Sequence, residues 1–305
     1  MREQKTAQGK NRLRFSLCLT SFFLILAFPA VTGDGVRAGL DLCYRAVIPS
    51  VFPSLVLTEL LFSRPLRGIE RTIGRLFHRL LGVSERGAVA WCAGLLSGFP
   101  VGAVTVAADV REGRVSREEG AYLLSFVNNT GPAFLVGGVG LGLFGSVRLG
   151  WTLYLLQIPV SLTVALLFRP KRPFSSVGSS PSTFAAPDPV RSIVRAAETC
   201  VRIAGFVCFF SVATSFPSVF LSDGLLLALL SSLLEVGNGA LRAARLSFPF
   251  PAFPFVAFSV CFSGLSVHFQ TLAVVKEAGI APATYFKGKI VSGTLAFLLS
   301  LFLFA

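Results

Sequence analysis

The stretch GAVAWCAGLLSGFPVGAVTVAADV, residues 87–110, decides the fold. It is apolar enough to enter a bilayer, yet Ser97-Gly98-Phe99-Pro100-Val101-Gly102 interrupts its middle and the charged turn 111–119 follows it. Glycine weakens a helix and proline removes a backbone donor. Freed backbone groups at membrane depth persist only where protein or a water-filled cavity satisfies them. The segment's length therefore allows one span or a re-entrant hairpin. In either case its interruption belongs against protein or a pathway.

The flanking sequence reads the same way. Residues 15–32, 133–168, 199–220, 225–241, 248–275 and 290–305 are apolar runs, and a span needs about 20 such residues. They leave no room for a separate globular domain. Hydrophobic residues make up 53% and charged residues 14%, well below the roughly 25% charged content of soluble domains. A net charge of +13 raises nucleic acid as a partner, but the basic residues sit between apolar runs without aromatic interleaving. Positive-inside bias explains them, so the expected partner is the lipid bilayer and no nucleic acid. The six cysteines, Cys18, Cys43, Cys92, Cys200, Cys208 and Cys261, form no CxxC pair. With no metal-ligand spacing they read as small buried hydrophobes, and neither metal nor cofactor is expected.

The fold class is thus an all-α polytopic membrane protein. Residues 1–35 hold an N-terminal membrane helix, with Arg2, Lys5, Lys10, Arg12 and Arg14 on its cytoplasmic side. A signal peptide is disfavoured, because the run 15–32 exceeds an h-region of about 7 to 15 residues and further spans follow. Residues 36–168 form a first half. Its early segment 36–62 is broken by Pro49 and Pro53 and carries Glu59. In residues 64–86, Arg67, Arg71, Arg75 and Arg79 recur every four positions beside apolar neighbours, the pattern of an amphipathic helix on the anionic inner leaflet. Residues 121–168, interrupted at Asn128-Asn129-Thr130-Gly131-Pro132, fit two membrane passages. Residues 169–197 form a cytoplasmic basic linker, and 198–305 a second half, with Arg242 and Arg245 expected in the cytoplasm. If segments 87–110 and 248–275 both dip in and return, nearly all basic segments fall on one side.

The halves look related. Ser50-Val51-Phe52-Pro53-Ser54 matches Thr214-Ser215-Phe216-Pro217-Ser218, and Ser97-Gly98-Phe99-Pro100-Val101 matches Ser263-Gly264-Leu265-Ser266-Val267. Broken helices in matching register offer backbone N–H groups and half-helix dipoles to an anion inside the membrane. Small residues packing helices closely give the same pattern without a ligand. On this reading the candidate binding residues are Ser97, Gly98, Pro100, Gly102, Asn128, Asn129, Thr130, Ser263, Gly264, Ser266, His268 and Gln270. Glu235 and Asn238, three apart on one helix face, are candidates for coupling, since an intramembrane carboxylate marks a pathway or a proton step. No phosphate loop, HExxH helix or GxSxG elbow is present, so no enzyme and no catalytic residue is expected.

Val47-Ile48-Pro49-Ser50-Val51-Phe52-Pro53-Ser54-Leu55, Thr58-Glu59-Leu60-Leu61, Ser97 to Ala103, Ser125 to Pro132, Leu234-Glu235-Val236-Gly237-Asn238-Gly239 and Ser263 to Gln270 together resemble the YlbJ (SpoVV) family of sporulation integral membrane proteins, within the nucleoside-recognition Gate-domain proteins. Thr130 and Phe99 depart mildly from that pattern. The resemblance implies an architecture like that of concentrative nucleoside transporters, with paired re-entrant hairpins. It also implies a transporter-like role in moving dipicolinic acid into the forespore, in the outer forespore membrane. The solute would then be a small planar dianion, received at the interrupted segments. A nucleoside or purine transporter, or a spore-envelope membrane protein that moves nothing, are the alternatives, and the sequence leaves a homo-oligomer open.

Overall fold

A segment buried in lipid satisfies its own backbone most simply as a helix, and among the described residues there is no strand. The computed structural model describes residues 2–62, 68, 70–174, 188–247 and 251–303. Among the described residues, five helices are long and apolar enough to cross a membrane: Pro29–Leu61, Val147–Leu167, Pro189–Phe220, Ala252–Glu277 and Ala283–Leu303.

Helix α1 (Arg2–Ala27) stops earlier than the apolar run suggests, because Pro29 opens the next helix at its first position. That helix, α2 (Pro29–Leu42), passes through π-helical Cys43–Val47 into α3 (Ile48–Phe62). Pro49 cannot donate back to Arg45, and the chain widens just ahead of it. The Arg-rich segment is helical over Glu70–Gly74 and Arg75–Leu81, while residues 63–67 and 69 lie outside the described residues. Phe77 and Leu81 are buried with Ile73 beside them, whereas Leu76 and Leu80 are exposed. The inward face therefore runs through Phe77 and Leu81 and leaves Leu80 out.

Next come α4 (Glu85–Ser97), α5 (Val101–Arg111), α6 (Arg117–Val127), the π-helical stretch Ala133–Leu141 and α7 (Val147–Leu167). The second half holds α8 (Pro189–Ser215), α9 (Leu225–Leu234), α10 (Val236–Ala244), α11 (Ala252–Phe262), α12 (Gly264–Glu277) and α13 (Ala283–Leu303). Of the expected linker, residues 175–187 lie outside the described residues. Its start is tied down by Phe174 N–H to the Gly82 carbonyl at 2.8 Å. Its end is already helix: Asp188 caps α8 by accepting from Arg191 N–H at 3.1 Å, and Pro189 takes the first position.

Two pairs of consecutive helices fold back on themselves. The legs of α4 and α5 pack together, as do those of α9 and α10. At 13 and 11 residues in the first pair, and about 1.5 Å per residue, no leg crosses a core of about 30 Å. Both are therefore helical hairpins that turn back without crossing. An ion pair closes each open end, Arg86 to Asp109 at 2.8 Å and Arg242 to Asp223 at 2.8 Å. The second hairpin lies in the run 225–241 that reads as a span. Segment 248–275, for which the sequence left turning back and crossing both open, runs on as a broken crossing from Ala252 to Glu277.

Each broken crossing starts at its own hairpin's open end and finishes at the other's. Helix α6 starts at Arg117, whose guanidinium lies against Gly279 just beyond α12. Its continuation ends at Phe144, whose ring is 6.0 Å from that of Phe253 at the start of α11. In the other direction α12 ends at Glu277, which accepts from Arg111 of the first hairpin at 3.5 Å. The hairpins thus enter from opposite faces. Arg242 and Arg245 consequently lie on the face opposite Arg86, Arg111 and Arg114, not with them. By element order the counterpart of the Ser97 interruption is Glu235, and that of Ser263-Gly264 is Thr130-Gly131. The pairing of Ser97 with Ser263 drawn from the sequence does not match this order.

Candidate functional site

Glycines bring the four interruptions together. Gly94 and Gly102 face each other across the first hairpin, and a Cβ on either would strike the Val127 carbonyl oxygen at the end of α6. Gly98, at φ 80° after α4, puts its α-carbon where an added Cβ would be 2.5 Å from Gly131 N. The first hairpin's tip thus sits on the first broken helix. In the second half, Gly264, at φ 68°, lies against Val236 N and Glu235 N, so that tip sits on the second broken helix. Only residues without a side chain allow backbones this close.

Between the two contacts lies a cavity of about 560 Å³ of empty space, part of it open to solvent. The first hairpin contributes Ser97, Gly98 and Phe99, and the first break Thr130 and Gly131. The second hairpin adds Glu235, Val236 and Gly237, and α12 adds Ser266, Val267 and Gln270. Ser50, Val51 and Ser54 of α3, Ala133 and Phe134 beyond the first break, and Ile203 and Val207 of α8 also line it.

The polar groups are held firmly. Ser97 Oγ is hydrogen-bonded to Thr58 Oγ1. At the first break Gln157 of α7 acts as a clamp: its Oε1 accepts from Thr130 N–H at 3.0 Å and its Nε2 donates to the Thr130 carbonyl at 2.6 Å. Thr130 Oγ1 donates to the Val260 carbonyl of α11 at 2.7 Å. Glu235 is no mid-helix residue; it caps α10, accepting from Asn238 N–H at 2.7 Å and Asn238 Nδ2 at 3.0 Å. Asn238 Nδ2 also donates to Ser211 Oγ of α8 at 2.8 Å. The Gln270 side-chain oxygen is buried without a partner among the described residues.

Of the sequence candidates, Ser97, Gly98, Thr130, Ser266, Gln270 and Glu235 line the cavity. The others stand behind it. Pro100 follows a cis peptide and precedes α5, and Gly102 closes the hairpin. Asn129 Nδ2 donates to the Phe126 carbonyl at 2.9 Å. Ser263, at φ 79°, and Gly264 make the second break. Asn128 Nδ2 donates to Thr271 Oγ1 at 2.9 Å, and Thr271 also accepts from Tyr285 OH at 3.3 Å. His268 Nδ1 is 2.8 Å from Tyr285 OH, with Phe262 and Phe286 edge-on to its ring. This network ties the first break to α12 and α13 across the halves.

Two residues that the sequence reading passed over matter most. Gln157 sits in an otherwise apolar helix, where an amide needs a partner. Lys289 of α13 is 3% exposed, and its Nζ donates to the Asn128 carbonyl at 3.1 Å. A lysine one position before the apolar run 290–305 reads as a flank of that run, which conceals it. Among the described residues no group of His, Cys, Asp and Glu side chains could hold a metal ion.

Long apolar helices, two opposed helical hairpins and a cavity where their tips meet two helix breaks are those of a polytopic helical membrane protein. The chain is similar to a curated protein described as sporulation integral membrane protein YlbJ, from Bacillus subtilis (strain 168). The two are 28% identical over 333 residues, covering 92% of this chain and 81% of that protein. The similarity runs nearly the whole length and supports assignment of the chain to the YlbJ family. No protein-family model matches the chain, and no solved structure matches it.

Proposed function

We propose that this chain is a transporter-like membrane protein of sporulation that moves a small anion, dipicolinate, toward the developing forespore. The observation that carries the reading is the convergence of both hairpin tips and both helix breaks on one cavity. Interrupted backbone at membrane depth is costly and is retained where it faces a solute. The similarity to a sporulation membrane protein supplies the setting, and what the resemblance to the YlbJ family implies supplies the solute. The face carrying Arg86, Arg111, Arg114 and Arg169 would be cytoplasmic by positive-inside bias, in the outer forespore membrane. No enzymatic step or cofactor enters this account.

One observation favours a second reading. Glu235 is a carboxylate in the cavity wall, and a carboxylate suits the hydroxyls of a neutral nucleoside better than a dianion. Uptake of labelled dipicolinate and labelled uridine into proteoliposomes, with and without a pH gradient, separates the two. Dipicolinate accumulation above protein-free liposomes is expected. Uridine uptake alone would favour the second reading, and uptake of neither would leave the protein a non-transporting envelope component.

A further inference from the structure

Among the described lining residues Glu235 is the one charged group. A cavity that receives a dianion beside a carboxylate needs positive charge from elsewhere. Lys289 is buried, and among the described ion pairs none involves its ammonium. Its one described hydrogen bond goes to the carbonyl of Asn128, the residue that ends α6 and lies two positions before cavity-lining Thr130.

The placement of this lysine is forced by backbone contact. Gly288 lies so close to Ser125 of α6 that a Cβ there would strike the Ser125 carbonyl oxygen, which pins α13 against the last turn of α6. The adjacent Lys289 is thereby held at the break. An uncompensated charge at membrane depth is costly, and such residues mark solute and ion paths. The α6 carboxyl end carries about half a negative charge. A full ammonium exceeds it, so the break keeps a net positive sign.

Resting on the transport reading above, we propose that Lys289 is the specificity-determining fixed cation of the pathway, whose charge, seated on the Asn128 carbonyl behind the cavity, selects an anionic solute over its neutral analogue. It does not touch the solute. It sets the potential at Thr130 and Gly131, where the solute is received. Even after screening, an ammonium seated behind the site shifts an anion's affinity by about tenfold or more and leaves a neutral isostere unaffected.

The test is equilibrium binding of dipicolinate and of neutral pyridine-2,6-dicarboxamide to the purified full chain in nanodiscs. Lys289→Gln keeps a donor for the Asn128 carbonyl and removes the charge, and Lys289→Arg keeps the charge. For Lys289→Gln, at unchanged thermal stability, the ratio of dipicolinate to diamide affinity is expected to fall about tenfold, and Lys289→Arg is expected to restore it. A purely structural tie would weaken both ligands together, so an unchanged ratio in folded Lys289→Gln overturns the proposal. A wild-type chain that binds both ligands without preferring the dianion also overturns it. Binding of neither ligand overturns the transport reading itself, and the role of Lys289 with it.

Discussion

Gly102 shows how one missing side chain positions the site. Its α-carbon lies against Gly94 on the opposite leg and beneath the Val127 carbonyl, so the hairpin closes on the end of α6. Gly102→Val is expected to lower the thermal unfolding temperature in detergent markedly or abolish folded yield, since neither backbone can give way. Gly137→Ala has open space around its Cβ and is expected to leave unfolding unchanged or raise it slightly, by restricting the unfolded chain. Equal melting of the two variants would contradict the packing described. Residues such as Ser97, Thr130, Ser266 and Gln270 were legible in the sequence because a polar atom in an apolar run has few explanations. Gln157 and Lys289 were not. The first is a lone amide outside the repeated interrupted motifs, and the second shares a stretch with Lys287 that looks like a helix end.

The hairpins matter most among the elements. Hydropathy reports burial but not direction, so residues 225–241 read as a crossing although the chain turns back at Glu235. The same blindness left open whether residues 248–275 turn back or cross, since the break at Ser263-Gly264 is compatible with either. Contacts between the legs, and the Arg242 to Asp223 pair across the open end, separate the cases. Single cysteines in a chain cleared of its native cysteines test this arrangement. Glu85→Cys and Glu118→Cys flank the first hairpin on one face, and Ser222→Cys and Ser247→Cys flank the second on the other; all four positions are exposed. A membrane-impermeant maleimide added outside sealed, uniformly oriented vesicles is expected to label one pair and spare the other. Labelling of all four from the same side would restore the one-sided arrangement of basic segments expected from the sequence.

For the molecule as a whole, the opposed hairpins bring their tips to one cavity. Each hairpin is packed in its own apolar cluster. One gathers Ala88, Ala103 and Val106 with Leu123 and Tyr285, the other Val236 and Ala240 with Val256 and Val260. The broken crossings between them are cross-linked by Thr130 to Val260 and Asn128 to Thr271. On the transport reading proposed above, they would form a midplane site with gating elements on either side. The composition and the interrupted runs made the membrane class and half of the cavity readable. The opposition of the hairpins was not, because it rests on contacts between segments more than a hundred residues apart, such as Arg111 with Glu277. The most direct measurement of whether this cavity holds the solute is protection of Thr130→Cys and Ser266→Cys, each alone in a cysteine-cleared chain, from a small methanethiosulfonate reagent. Both are expected to react, and saturating dipicolinate is expected to slow both while leaving Glu118→Cys on the surface unaffected. Reaction rates at both cavity positions that ignore dipicolinate, in a protein that still transports it, would place the pathway elsewhere.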